Sequence, residues 1–120
     1  MDKTTRMYQL NFGEIYPLYV AKVERKERTA AELDEVLSWL TGLNVEEVHE
    51  AARKELSLKE LCESAPRIAE TTQLITGVIC GYRVEDIEDP IIRRIRAMDK
   101  VVDELAKGKK LEKIKREPQS

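Results

Sequence analysis

The stretch from Asp89 to Gly108 constrains the fold of this chain more than any other. Asp89-Pro90 is a helix start, with an Asp oxygen to cap free N–H groups and a Pro at the position where its missing donor does no harm. Gly108 is the stop, preceded by Lys107, whose charge suits the negative end of the helix dipole. Between them Ile91, Ile95, Met98, Val102 and Leu105 recur at helical spacing. At roughly 100° per residue the apolar arc widens to include Val101 on one side and Ala106 and Ile92 on the other. An arc that broad belongs to a central helix packed by several neighbours, not to a two-stranded seam.

Upstream, Leu74, Ile75, Val78, Ile79 and Tyr82 fall at i, i+1, i+4, i+5 and i+8, which fits a helix better than a strand. A buried β-strand is the alternative, because the run is rich in β-branched residues and bounded by glycine. Residues 1 to 12 read as a partly ordered arm with a short extended segment through Tyr8, Leu10 and Phe12. A helix follows from about Ile15 to Lys26, with Pro17 expected in its first turn. Thr29-Ala-Ala-Glu32, Asn44-Val-Glu-Glu47 and Ser57-Leu-Lys-Glu60 are three capping-box patterns, opening helices to Thr41 and over about 45–54 and 58–64. Trp39 lies off the buried line of its helix and is expected to cover a neighbouring one. Residues 67 to 73 read as a polar connection. The expected fold is all-α: a compact orthogonal bundle of five or six helices in one domain, residues 1–114, with a disordered basic tail at 115–120.

Composition narrows the function classes. At 120 residues the chain makes one domain, and 42% hydrophobic with 37% charged residues implies a folded, highly charged surface. A net charge of −2 gives no global attraction to nucleic acid or to an anionic membrane. No apolar run is long enough to span a bilayer, and the first ten residues lack the pattern of a signal peptide, so the expected location is the cytoplasm. Cys62 and Cys80 lack zinc or redox spacing and are expected to be two buried free thiols.

Several groups bear on chemistry. Glu85, Asp86, Glu88 and Asp89 form an acidic cluster without the spacing of a calcium loop; Asp89 is expected to cap and the others to stay in water near the helix N-terminus. His49 is the only histidine and reads as a surface or boundary residue. No phosphate loop, nucleophile elbow or HExxH is present, and the segment from 45 to 64 is too acidic for a recognition helix. Asp99 is the sharpest candidate, because it falls inside the apolar arc, between Ala106 and Ile92. It is expected to be at least half buried and bonded to an Arg or to backbone N–H groups, with Arg96 and Arg83 as candidate partners that Asp103 could share. The candidate polar site is therefore Arg83, Glu85, Asp86, Asp89, Arg96, Asp99 and Asp103, with no catalytic residue, cofactor or metal implied.

The stretches MYQLNFGEIYPLYVAKVERK, AELDEVLSWLTG, LITGVICGYRVEDIEDP and DKVVDELAKGK resemble an uncharacterised bacterial family, domain of unknown function 2200, from Met1 to about Ile114. The segment from Asn44 to Gln73 matches it least well. The resemblance implies a cytoplasmic helical domain and carries no activity, cofactor or catalytic residue. The expected function is non-catalytic binding of a protein or small molecule, with oligomeric state open and neither nucleic acid nor membrane as partner. The alternatives are an enzyme with a polar site around Asp99 and a nucleic-acid-binding regulator.

Overall fold

The computed structural model of the chain describes residues 3–116. Its elements in order are α1 (Lys3–Tyr8), α2 (Phe12–Arg25), α3 (Ala30–Thr41), α4 (Val45–Arg53), α5 (Leu58–Ser64), α6 (Ile68–Thr72), β1 (Val78–Ile79), β2 (Tyr82–Arg83), a 3-10 turn (Val84–Asp86), α7 (Pro90–Ala106) and α8 (Leu111–Ile114). The all-α expectation holds, with α1, α6 and α8 as short helices beyond the five or six expected.

All three capping boxes form: Thr29, Asn44 and Ser57 each accept from the N–H three residues on, while Glu32, Glu47 and Glu60 answer the cap N–H. Asp89 Oδ1 accepts from the N–H groups of Ile91 and Ile92, with Pro90 at the first helical position. α7 is the axis of the fold. It packs against α1, α2, α3, α5, α6 and α8, and buries Ile95, Ala97, Met98, Val101, Val102 and Leu105 along its broad face. Facing it are Tyr19 and Val23 of α2, Leu33, Val36, Leu37 and Leu40 of α3, and Leu61 and Cys62 of α5, all in one buried cluster. Trp39 is partly buried against that cluster.

Four expectations need correction. The N-terminal arm is helical over Lys3–Tyr8, and its extended part shrinks to a single bridge between Asn11 and Ser57. α2 begins at Phe12, because the Asn11 side chain caps the Gly13 N–H; Pro17 therefore lies inside the helix, past its first turn, and leaves one backbone rung unmade. The connection at 67–73 contains α6, pinned where the Thr71 hydroxyl donates to the carbonyl of Leu40 at 2.9 Å. The apolar run from Leu74 is neither a helix nor a fully buried strand. It is a two-residue hairpin in which Val78 pairs with Arg83 and Ile79 with Tyr82. Cys80 and Gly81 make its turn at φ values of 52° and 83°, the doubly positive geometry that suits the twist of paired strands. Cys80 is consequently exposed, and only Cys62 is a buried thiol, pushed up to about 12 by its burial and thus inert. The expected disordered tail lies, for residues 117–120, outside the described residues; Lys115 and Arg116 are ion-paired to Glu35 and Glu104.

Candidate functional site

α1, α2, α7 and the hairpin enclose a groove made of two clefts that share Met7 and Arg96. The larger, of about 490 Å³, is lined by Met7, Tyr82, Arg83, Asp86, Ile87, Ile92 and Arg96. The smaller, of about 260 Å³, is lined by Leu10, Ile15, Leu18, Tyr19, Ile95 and Asp99 as well as the shared residues. Leu18 in the smaller cleft and Tyr82 in the larger are 63% and 61% exposed.

Asp99 lines the smaller cleft beside Arg96, which lines both. Its side chain is 25% exposed and ion-paired to Arg96 at 3.2 Å, one of the two partners expected. The second donor is Tyr19, whose hydroxyl gives a 2.5 Å hydrogen bond to Asp99 Oδ1. Burial first, and then the adjacent Asp99 carboxylate, hold the Tyr19 hydroxyl well above the usual phenol range, so it remains a donor. Asp99 engages Nη1 of Arg96, and Arg96 lines both clefts.

The other candidate residues separate. Arg83 is exposed and sits 3.8 Å from Glu85, not against Asp99. Glu85 accepts the Gly77 N–H at 2.9 Å and ties the hairpin to the turn below it. Asp86 lines the larger cleft. Asp89 caps α7 through one oxygen and accepts from the Tyr8 hydroxyl through the other. Asp103 does not share Arg96 or Arg83; it pairs with Lys22 at 3.2 Å and Lys107 at 3.0 Å on a different side of the helix. The groove thus gathers Arg83, Asp86, Arg96 and Asp99, while Glu85, Asp89 and Asp103 hold local structure.

Three of these acids lie below the usual carboxylate range. The Tyr8 hydroxyl and the α7 N–H groups lower Asp89 against burial. The Gly77 N–H is the main cause at Glu85. At Asp103 burial pushes upward, but the hydrogen bonds from Lys107 and Lys22 outweigh it. A group lowered in the folded state contributes stability that is complete above its unfolded value and is lost as pH falls through its folded one. The urea midpoint should therefore fall on going from pH 5 to pH 3, across and below the unfolded carboxylate values of about 3.9 to 4.3. An equal midpoint at both pH values would contradict the three assignments.

Sequence reasoning missed two further clusters. Asp34 is 7% exposed on α3 and accepts from the Tyr16 hydroxyl at 2.5 Å while sitting 2.9 Å from His49 Nε2. His49 is indeed a boundary residue, but it links α4 to α2 and α3, which its acidic sequence neighbours do not reveal. Glu104 is 8% exposed and is met by Arg116 at 2.5 Å, Lys109 at 3.5 Å and Lys100 at 3.8 Å. A signal for Glu104 existed: it falls three and seven residues after Val101 and Ala97, under the same buried face.

The family described as "Uncharacterized protein conserved in bacteria (DUF2200)" matches residues 6–116. The chain belongs to DUF2200. Its fold is also that of a solved relative, the crystal structure of uncharacterized protein SP1917. That protein is 38% identical to this DUF2200 chain, with a TM-score of 0.85 over 95% of this chain and 92% of the other. The comparison with curated proteins finds no match. No helix among the described residues is long and apolar enough to cross a membrane.

Proposed function

We propose that this DUF2200 domain is a non-catalytic binding module whose ligand is a small amphipathic molecule with an apolar body and an anionic group. The observation that carries this reading is the junction at Arg96, where two apolar clefts meet beside a guanidinium that makes one hydrogen bond, from Nη1 to Asp99, among the described residues. The larger cleft has the volume of a small-molecule site, a few hundred cubic ångströms. Met7, Ile87 and Ile92 offer the apolar wall, Tyr82 an aromatic face, and Arg83 with Arg96 the cationic end. The enzyme alternative draws less support, because the Asp99 carboxylate is already engaged by Tyr19 and Arg96 and is poorly placed to take a proton from a substrate.

The dye 8-anilino-1-naphthalenesulfonate has the proposed chemistry and makes a direct probe. It should bind saturably to the native domain, and Arg96→Gln and Tyr82→Ser should each weaken it about fivefold or more, roughly 1 kcal/mol. Near-ultraviolet circular dichroism should stay native, which separates a site from a loosened core. Dye binding that is unaffected by both substitutions would remove the groove from consideration.

A further inference from the structure

On the far side of Ile87 from the groove lies a separate cleft of about 150 Å³, between the end of α6 and the start of α7. Its walls include Thr72, Gln73, Ile87, Glu88, Arg93 and Arg94. Two of these residues hold donors without a partner. The Thr72 residue is 2% exposed, and its hydroxyl has no hydrogen bond among the described residues. The Nε of Arg93 is equally buried and equally unmatched. Its neighbour in sequence makes the contrast: the Thr71 hydroxyl bonds the carbonyls of Leu40 and Arg67.

Burying a donor without an acceptor is costly, and two such donors on residues that line one small cleft point to an acceptor that binds there. The helix end itself is not that acceptor's partner, since Asp89 already takes the N–H groups of Ile91 and Ile92. Arg94 spends one guanidinium nitrogen on the Cys62 carbonyl at 3.0 Å and keeps its charge on the cleft. Two guanidiniums against the single carboxylate of Glu88 leave one net positive charge in the lining. Glu85, the other acid that senses Arg93, is held by the Gly77 N–H.

We propose that this cleft binds a phosphate group, with one oxygen accepting from Arg93 Nε–H and another from the Thr72 hydroxyl. A guanidinium on one helix and a hydroxyl on another approach the ion from different directions, which suits a tetrahedral oxyanion better than a planar carboxylate. Both donors are covered from solvent, so phosphate entry requires the partly exposed Arg93 side chain to shift while its Nε–H stays within reach of the ion. The cleft admits the phosphate alone; any organic portion of a phosphate ester has to leave through its mouth.

The test is thermal melting in inorganic phosphate, in glycerol 3-phosphate and in acetate, each against chloride at equal ionic strength. Phosphate should raise the melting temperature by about 5 °C at saturation. Amide resonances of Thr72, Gln73 and Arg93 should shift with the same concentration dependence. A matching response to glycerol 3-phosphate identifies the phosphoryl group as the ligand; a response to inorganic phosphate alone identifies the free ion. Thr72→Val removes an unpaired hydroxyl, so in chloride it should melt no lower than wild type, yet it should lose most of the phosphate response. Arg93→Gln should lose it as well. No rise over chloride, an equal rise in acetate, or a full phosphate response in both variants would overturn the proposal and leave the cleft to bridging water.

Discussion

Asp99→Ala is expected to destabilise the domain by about 2–4 kcal/mol, lowering its melting temperature by roughly 10 °C. The cost falls unequally on the two partners. Arg96 is part-exposed and turns its freed donors to water. Tyr19 is 8% exposed and loses the acceptor of a hydroxyl that the fold keeps largely from water. Tyr19→Phe, which removes the donor and keeps the ring, should cost only about 1 kcal/mol. In the Asp99→Ala background the same change should cost nothing or restore stability, because the orphaned hydroxyl is gone. Chemical denaturation of the four proteins measures the cycle. Additive losses, or an Asp99→Ala protein as stable as wild type, would show that Asp99 does not hold α2 to α7.

Gly42→Ala carries the second large effect, about 2–3 kcal/mol. Gly42 ends α3 at a φ of 82°, so alanine there is strained before any neighbour is considered. A Cβ would also lie 2.6 Å and 2.8 Å from Cγ and Cβ of Arg67. Those atoms are close to a backbone that cannot retreat, because the Arg67 N–H donates to the Thr41 carbonyl at 2.9 Å and starts α6. Gly81 supplies the control: its φ is 83°, but nothing lies within 4 Å of its would-be Cβ. Gly81→Ala should therefore show the backbone strain alone, about 1 kcal/mol. Equal losses at the two glycines, measured by urea unfolding, would show that the approach of Arg67 is soft.

What was legible in the sequence was whatever is decided within about four residues. The boxes at Thr29, Asn44 and Ser57, and the Asp89-Pro90 start, each carry donor and acceptor in one short window, and each forms. Arg96 was readable as a partner of Asp99 because the two are three apart on one helix. Tyr19 was not, since 80 residues separate it from Asp99 and only the packing of α2 on α7 joins them. The Tyr16, Asp34 and His49 set spans three helices for the same reason. The hairpin failed differently. Its turn signal, Cys80-Gly81, was outweighed by an apolar run that buries Ile75 and Ile79 but leaves Val78 and Tyr82 exposed. The glycines that another chain segment crowds below 3 Å are Gly42 and Gly13, which lie outside that run.

The cations around Glu104 tie the seating of α7 to residues that follow it in the chain. As the chain elongates, Glu104 emerges with only Lys100 of its three partners already made; Lys109 follows, and Arg116 comes later still. Until Arg116 arrives, seating α7 in full would carry an under-compensated carboxylate into the core. α7 is also the element against which α1, α2, α3, α5 and α6 close. Completion of the packing around α7 is thereby tied to Arg116, a residue beyond the helix itself, and not to the apolar face alone.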